Sequence, residues 1–345
     1  MTPTPASFAA ARGSDTNNVI TVSAHRDPGQ GDRHSRQEDT RLHSHGARRM
    51  RPGRRGSGWR NAGWVLVFLL PSAVPLLLFT VIPMLASIWV SLTKWNLISA
   101  PTFVAFNNYR RLLTDPTTLD YFLHTGAYIV GYLPLVYIGG LSLAYVLDKK
   151  LVARSFFRAA VFLPVITSWV VVALVWQWLL NPAHGVVNTV LGALGLGQPG
   201  WWTDPNWAMP SIILASAWKD LGFVMIIMLA GLQSIPGDVQ EAATVDGATG
   251  WQRFRRVTWP MLSPSTFFVV VISLINGLQV FDQVFVMTGG GPQGATQVVV
   301  GQIYNLTFRY GRAGDAAALS WILFVVILAI TAGQLAGQRR WVTHA

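Results

Sequence analysis

Six long apolar stretches constrain this chain more than any other feature of its sequence. Each contains about 20 or more residues with few charges, which is the length that an α-helix needs to cross the ~30 Å hydrocarbon core of a bilayer. The predicted spans are residues 62–92, 126–147, 156–180, 208–232, 264–288 and 316–335. Because a helix satisfies its own backbone hydrogen bonds in lipid, the sequence predicts an all-α, polytopic membrane protein with six transmembrane helices.

The composition agrees with a membrane protein and excludes several kinds of active site. Only 12% of the 345 residues are charged, about half the ~25% of an ordinary soluble domain, and 51% are hydrophobic. The chain has no cysteine, which excludes thiolate metal sites and cysteine nucleophiles. None of the four lysines follows a glycine, so no Gly-x-x-x-x-Gly-Lys phosphate loop is present. We therefore predict no catalytic residue, no metal site and no cofactor bound by this chain.

Residues 1–61 differ from the rest of the chain. They carry 11 arginines against five acidic residues, and they contain few side chains that could build a core. We predict a disordered basic cytoplasmic tail, because such a segment cannot bury enough apolar surface to offset its ordering entropy. A nucleic-acid-binding arm is the competing interpretation, but a basic cluster directly before an apolar span is typical of a segment retained in the cytoplasm. We therefore predict no nucleic-acid partner.

The distribution of basic residues predicts the orientation of the chain. If the tail is cytoplasmic, the inner segments hold 20 of the 26 lysines and arginines, and the outer segments hold five. Basic residues concentrate on the cytoplasmic side of membrane proteins. Both termini, including the short C-terminal segment 341–345, are therefore predicted to be cytoplasmic, with the transmembrane domain over residues 62–340.

Residues 233–263 form an inner loop that is too polar to span a membrane and too long for a simple turn. Asp238 is placed to cap a helix over residues 239–245, and Gly247 can adopt the positive φ that ends it. A second, amphipathic helix then carries its large apolar side chains on one face up to Pro260. These side chains are Trp251, Phe254 and Val257. The sequence predicts a helix-turn-helix under the membrane whose exposed apolar and acidic groups indicate a docking surface.

The order of residues within this loop is distinctive. Glu241-Ala242-Ala243 is followed by Gly247 and, after nine residues, by Val257-x-Trp259-Pro260. This order resembles the EAA signature of the permeases of binding-protein-dependent ABC importers, in which the final run is Ile-x-Leu-Pro. The resemblance implies that the loop is a coupling helix that sits in a cleft of a cytoplasmic ATPase, with Glu241 meeting a basic residue there. The residues to which it assigns ATPase coupling are Glu241, Ala242, Ala243, Asp246, Gly247, Trp251, Val257 and Pro260.

A second motif, in the fourth and fifth predicted spans, indicates which group of these permeases the chain resembles. Residues 281–292 read Phe-Asp-Gln-Val-Phe-Val-Met-Thr-Gly-Gly-Gly-Pro, and Trp218-Lys219-Asp220 with Gly222 lies in the preceding span. Together these segments resemble carbohydrate-uptake permeases of the maltose and glycerol-phosphate type. The resemblance implies a chain of the bacterial plasma (inner) membrane that translocates a sugar or a related polyol. Its implied partners are a second permease subunit of similar fold, a cytoplasmic ATPase dimer that uses ATP and Mg²⁺, and an extracytoplasmic solute-binding protein.

Polar side chains in the fifth span are candidates for the solute pathway. Asn276, Gln279 and Gln283 recur at spacings of three and four residues, so we predict that they share one helix face, with Ser273 beside it. Neutral amides can both donate to and accept from the hydroxyl groups of a sugar. Amides also bond neighbouring transmembrane helices, and the sequence leaves these two roles equally open.

Three ionisable residues, Lys219, Asp220 and Asp282, fall within the predicted spans, where a charge is costly unless it is paired or hydrated. Lys219 and Asp220 are neighbours on a helix and point apart, so a contact between Lys219 and Asp282 is one possibility. Lys219 and Asp282 therefore join the candidate pathway residues. Structural pairing in the bundle interior is the favoured interpretation of these ionisable groups, and a proton relay is the competing one. The alternative function for the whole chain is that of an ion-coupled secondary transporter of a small polar solute.

Overall fold

The computed structural model describes residues 58–149 and 152–341 of the chain. Two compact units are distinguished, and the division falls after Gly63. Of the first unit, only the residues that start the first helix are described. The predictions for the tail residues 1–57 and for residues 342–345 lie outside the described residues.

Helices dominate the described residues, as the sequence predicts. In chain order the α-helices are α1 Gly58–Leu76, α2 Ile82–Ser91, α3 Asn107–Thr114, α4 Pro116–Asp148, α5 Arg154–Ile166, α6 Trp169–Leu179, α7 Val186–Ala193, α8 Pro205–Gln233, α9 Gly237–Val245, α10 Gly250–Arg253, α11 Trp259–Met261, α12 Ser263–Leu278, α13 Asp282–Met287, α14 Val299–Tyr304 and α15 Ala313–Trp341. Short π-helical segments continue α1, α10 and α14, and they are Leu77–Val81, Phe254–Thr258 and Asn305–Arg309. A two-stranded antiparallel pair, β1 Thr93–Lys94 and β2 Thr102–Phe103, follows α2.

Long apolar helices account for the predicted membrane spans. Four uninterrupted helical stretches within the described residues are long and apolar enough to cross a membrane, and they are Val67–Ser91, Pro116–Asp148, Pro205–Gln233 and Ala313–Gln338. Two further candidates are pairs of helices that pass the same test together but are sharply bent. The described residues thus contain four such helices, or up to six candidate spans when each bent pair counts as one, which agrees with the predicted all-α fold with six transmembrane helices.

The long helices α4 and α8 begin with the same local signal, an aspartate followed by a proline. The Asp115 carboxylate accepts a hydrogen bond from the backbone N–H of Thr117 at 3.0 Å, and Asp204 accepts one from Asn206 at 2.8 Å. Each cap satisfies a backbone donor that the helix leaves unpaired, and proline at the first position has no N–H to satisfy. α4 consequently begins ten residues before the apolar stretch 126–147, because a capped helix extends beyond the apolar part of its sequence.

The predicted single span 156–180 is wrong in its continuity. α5 and α6 meet at an angle of 102°, with Thr167 and Ser168 between them. The backbone of both residues is extended, and Pro164 has no N–H for the last turn of α5. The break contains no charged residue, and the sequence signal for it was Pro164, which the prediction of one continuous span did not use.

The predicted single span 264–288 is also interrupted. α12 ends at Leu278 and α13 begins only at Asp282, and Phe281 has a φ of −148° and a ψ of −63°. At its other end α12 follows the segment Gly250–Met261 with a bend of 65°. The fifth span is therefore a chain of helical pieces, and of its polar residues only Gln279 lies in the second break, between Leu278 and Asp282.

α4 and α8 pack along their lengths at the centre of the bundle. Tyr128 and Tyr132 of α4 are each 2% exposed, and their rings are stacked with centroids 5.3 Å apart. Gly140 allows the close approach of the two helices, because a Cβ there would meet the side chain of Val224 and the backbone of Met225. This packing brings the polar edges of the two tyrosines to the cavity described next.

Candidate functional site

A cavity of about 270 Å³ lies beside the break between α12 and α13. Its walls come from α4, from the first residue of α6, from α8, from the end of α12, from the break itself and from the start of α13. The lining residues are Tyr128, Tyr132, Trp169, Asp220, Asn276, Gln279, Val280, Phe281, Asp282 and Gln283. Four of the six predicted pathway residues lie there, namely Asn276, Gln279, Asp282 and Gln283, whereas Ser273 and Lys219 are not among the lining residues.

The three amides of the fifth span meet at the cavity, but not by sharing one helix face. Asn276 lies in the last turn of α12, Gln279 follows the end of that helix, and Gln283 lies in α13, so the three amides do not share one continuous helix face. Gln283 is 6% exposed and donates a hydrogen bond to the Tyr128 hydroxyl at 3.1 Å, so it bonds a neighbouring helix. Asn276 and Gln279 are exposed, and their side chains make no hydrogen bond to other described residues. The two roles that the sequence left open are therefore divided among the three amides.

The acidic wall of the cavity is formed by Asp220 and Asp282. The hydroxyl of Tyr132 donates a hydrogen bond to Oδ2 of Asp220 at 2.8 Å, which ties α4 to α8. Asp282 is exposed at the start of α13 and forms no ion pair among the described residues. Ser273, by contrast, is 2% exposed and belongs to the packed interior of α12.

The possible contact between Lys219 and Asp282 is wrong. The ammonium Nζ of Lys219 donates to the carbonyl oxygen of Val165 at 3.0 Å and lies 4.7 Å from the ring centroid of Trp169. Neighbouring residues of a helix point in different directions, so Lys219 faces α5 and α6 while Asp220 faces the cavity. The predicted divergence of Lys219 and Asp220 is thereby confirmed.

At one end of the bundle, α9 and α10 form the predicted helix-turn-helix. Gly247 has a φ of +77°, as predicted, and its N–H donates to the Thr244 carbonyl at 3.0 Å. The N–H of Ala248 donates to the Ala243 carbonyl, also at 3.0 Å. This pair of hydrogen bonds is a Schellman motif, which closes the last turn of a helix and requires a left-handed residue where Gly247 stands. The spacing between Ala243 and Gly247 thus has a direct structural cause.

The start of the second helix carries a capping box that the sequence analysis missed. The Thr249 hydroxyl accepts from the N–H of Gln252 at 3.4 Å, and the Gln252 side chain accepts from the N–H of Thr249 at 2.9 Å. The signal was available as Thr-x-x-Gln. The predicted Asp238 cap is wrong, because α9 begins at Gly237 with no side-chain cap. Asp238 lies in the first turn, where a negative charge complements the helix dipole.

This helical elbow, residues 237–253, presents an exposed surface. No residue of α9 is buried, Glu241 and Ala242 are exposed, and Val245 is 87% exposed. The Glu241 carboxylate forms no ion pair with any described residue. Arg253 donates from Nη1 to the Thr244 hydroxyl at 3.0 Å, which ties the second helix to the first.

The apolar face of the second helix is only partly as predicted. The rings of Trp251 and Phe254 are stacked at 5.7 Å, and Trp251 is 70% exposed. The π-helical segment begins at Phe254 and changes the helical phase, so the predicted alignment with Val257 does not follow from a regular α-helix. Val257 and Pro260 are half-buried.

We expect Gly247→Ala to loosen the elbow without disturbing the bundle. A left-handed conformation costs a non-glycine residue about 1–2 kcal/mol, while a Cβ at this position meets no neighbour within 4 Å. Amide hydrogen exchange over residues 237–253 is therefore expected to accelerate about fivefold or more. Gly250→Ala is the matched control, because it too has no neighbour within 4 Å and it has no positive φ. Equal acceleration in both variants would contradict the Schellman account.

Comparisons with known proteins place this architecture in a family. The family of binding-protein-dependent transport system inner membrane components matches residues 136–339. A probable ABC transporter permease protein, YurN of Bacillus subtilis, is 35% identical over 274 residues, which cover 78% of this chain and 94% of the relative. The trehalose/maltose transport system permease protein MalF of Thermococcus litoralis is 34% identical over 79% of this chain and 92% of the relative. The lactose transport system permease protein LacF of Rhizobium radiobacter is 36% identical, over 78% of this chain and 90% of the relative.

A solved structure agrees with these sequence matches. A crystal structure of a bacterial alginate ABC transporter, in complex with an alginate pentasaccharide-bound periplasmic protein, contains a chain that is 27% identical, with a TM-score of 0.73. The match covers 82% of this chain and 98% of that one. The chain belongs to the family of binding-protein-dependent transport system inner membrane components. It is a multi-pass permease subunit of an ABC importer, and not the ion-coupled secondary transporter that was the alternative.

Proposed function

We propose that this subunit translocates an uncharged sugar, or a related uncharged polyol, through the cavity beside the α12–α13 break. The observation that carries the proposal is the pair of exposed amides, Asn276 and Gln279, which have no hydrogen-bond partner among the described residues. Amides that are free to donate and accept suit the hydroxyl groups of a sugar. Trp169 lines the same cavity, and its aromatic ring can cover the apolar side of a sugar ring. Relatives named for trehalose, maltose and lactose support this class of solute.

The charge of the cavity favours a neutral solute over an anionic one. Asp220 and Asp282 are its ionisable acidic residues, and neither a carboxylate nor a neutral carboxyl group offers a positive charge. Lys219 is the nearest base along α8, but its ammonium is directed to Val165 and Trp169. Glycerol phosphate and acidic saccharides therefore find no cationic partner among the residues that line this subunit's cavity.

The helical elbow is proposed to couple this subunit to an ATPase. Its exposed helix α9 presents Glu241 to a basic residue of a cytoplasmic ATPase dimer, which binds ATP and Mg²⁺ and carries out hydrolysis. Closure of that dimer pushes on α9, and the hydrogen-bonded elbow transmits the push to α12 through the continuous segment Gly250–Met261. Ala242, Ala243, Asp246, Gly247, Trp251, Val257 and Pro260 complete the proposed coupling element. A second permease subunit of similar fold completes the pathway, and an extracytoplasmic solute-binding protein delivers the sugar.

The proposed location is the bacterial plasma membrane, with both termini and the elbow in the cytoplasm. The support is the distribution of charge, since the segments on the elbow's side hold 20 of the 26 basic residues. Fluorescence of a reporter fused to residue 345, or alkaline phosphatase activity of the corresponding fusion, measures this orientation. Phosphatase activity at the C-terminus would contradict it.

We expect Gln279→Leu and Asn276→Leu each to raise the KM for sugar uptake about fivefold. A single hydrogen bond contributes about 1 kcal/mol net, which corresponds to about a fivefold change in affinity. The measurement is initial uptake into proteoliposomes that contain the complete importer, with a neutral sugar selected by its binding to the solute-binding protein. Gln302→Leu is the control, because this half-buried amide lies outside the cavity. An unchanged KM in both cavity variants would contradict the assignment of the cavity.

A further inference from the structure

Lys219 is a buried base whose position the proposed function does not explain. Its side chain is 5% exposed, it does not line the cavity, and none of the ion pairs among the described residues includes it. A buried charge is costly unless specific groups stabilise it. Two groups contact the ammonium, namely the carbonyl oxygen of Val165 and the indole ring of Trp169.

Those two groups belong to the two sides of the bend between α5 and α6. Val165 lies in the last turn of α5. Carbonyl oxygens in the last turn of a helix receive no hydrogen bond from within the helix, and this end of the helix dipole is negative. Trp169 is the first residue of α6. The ammonium of Lys219 donates to the Val165 carbonyl at 3.0 Å and lies over the Trp169 ring at 4.7 Å, a cation–π distance. One side chain thus contacts both pieces of the bent pair.

α8 is held close enough to α5 for this contact by Gly222, which lies about one turn after Lys219. A Cβ at Gly222 would clash with the carbonyl oxygen of Val161 and would approach Cα of Phe162 at 2.9 Å. The obstructing atoms are backbone, so the two helices are in direct main-chain contact here. This contact fixes the distance over which the Lys219 side chain reaches the end of α5.

Trp169 connects this arrangement to the cavity. It is the one lining residue that comes from the α5–α6 pair among the described residues, and it lines the same cavity as Asn276 and Gln279. Its ring is half-buried, so its position depends on what holds it. The ring contacts the ammonium of Lys219, which belongs to α8.

We propose that Lys219 is a positioning residue for solute recognition. It holds the end of α5 and the indole of Trp169 together, fixes the bend of this broken helix and thereby keeps the indole in the cavity wall. Lys219 itself does not touch the solute. The proposal rests on the proposed function only in that the solute binds in this cavity.

The first test measures the accessibility of the cavity in the absence of solute. Because the chain has no cysteine, Gln279→Cys introduces a single thiol into the cavity wall. In the assembled importer, its rate of reaction with a small, membrane-impermeant methanethiosulfonate is expected to rise about fivefold when Lys219→Met is added, because the indole no longer covers the cavity. Lys219→Arg retains a cation and is expected to leave the rate within twofold of the parent. Lys219→Gln, which removes the charge but keeps a donor, provides a second variant if Lys219→Met fails to accumulate.

The second test is a double-mutant cycle on uptake. Lys219→Met and Trp169→Leu are each expected to raise KM about tenfold, and the double variant is expected to raise it no further, because both remove the same wall. Lys149→Met is the matched control, since this exposed lysine also lies over an aromatic ring, that of Tyr145 at 5.4 Å. Its KM is expected to stay unchanged.

The outcomes separate the two proposals. Multiplicative effects on KM, or an unchanged thiol reaction rate in an inserted Lys219→Met or Lys219→Gln variant, would overturn the positioning role. If the importer transports no sugar but the thiol reaction accelerates as expected, the positioning of Trp169 stands and the proposed solute fails. If uptake responds to Gln279→Leu but neither test responds to Lys219→Met, the solute site stands and the role of Lys219 fails.

Discussion

Glu241→Lys is expected to separate this chain from its proposed ATPase while leaving it folded in the membrane. Glu241 is exposed on α9 and forms no ion pair with the described residues, so the substitution changes the free energy of unfolding by no more than about 0.5 kcal/mol. In a complex, breaking a desolvated charge pair costs about 2–5 kcal/mol. A loss of ~2.7 kcal/mol of binding free energy corresponds to about a hundredfold loss of affinity for the ATPase. When the ATPase concentration limits assembly, the rate of uptake should fall by about the same factor.

The measurement is affinity purification of the tagged chain from detergent-solubilised host membranes, with mass spectrometry of the proteins that copurify. An ATPase is expected with the wild type and not with Glu241→Lys at equal amounts of inserted chain. Asp120→Lys is the matched control, because Asp120 is another exposed helical acid, near the start of α4. Retention of the ATPase by Glu241→Lys, or its loss from Asp120→Lys, would refute the docking role of α9.

Gly222→Val is expected to have the largest effect on stability. The new side chain would overlap the carbonyl oxygen of Val161, and backbone on both sides prevents a simple side-chain adjustment. Overpacking at a rigid contact costs about 3 kcal/mol, so the midpoint of thermal denaturation in detergent should fall by about 10 °C. The amount of chain inserted in the membrane should fall with it.

Gly126→Ala provides the control for this prediction. It lies inside α4, and a Cβ there meets no atom within 4 Å. Alanine is the better helix former by about 0.8–1.0 kcal/mol, so this variant should be at least as stable as the wild type. Size-exclusion profiles and thermal midpoints of the two variants, measured side by side, test the account. Wild-type stability in Gly222→Val would show that α5 and α8 can separate without cost.

The breaks in the spans show where sequence reasoning reached its limit. Apolar runs predict how much chain the hydrocarbon can hold, but a break is stable only when other parts of the fold satisfy the freed backbone groups. The Gln177 side chain of α6 donates to the carbonyls of Val286 and Met287 at 3.1 and 2.8 Å, at the end of α13. Lys219 does the same for Val165 at the end of α5. Pro164 was a local signal for the first break, but these donors come from distant parts of the sequence, so local patterns do not show how the freed backbone groups are satisfied.

The elbow was more accessible to prediction because its structure is local. A left-handed Gly247 follows from a glycine placed after a short amphipathic segment, and the Thr249 capping box was readable from residues three apart. The Asp238 cap failed for an equally local reason, since Pro236 and Gly237 begin the helix earlier. Interactions that span fewer than six residues depend little on the rest of the fold.

By itself, the sequence determined the number of apolar spans, the all-α class, and the motif from Glu241 to Gly247 that marks the family. Only the tertiary structure decided that Asn276 and Gln279 meet Asp220 in one cavity, and that Lys219 contacts Val165 rather than Asp282. The physical reason is the range of the interactions. Hydropathy and helix ends are set by neighbouring residues, whereas the rotation of each helix and the position of each break are set by packing between segments that lie far apart in the chain.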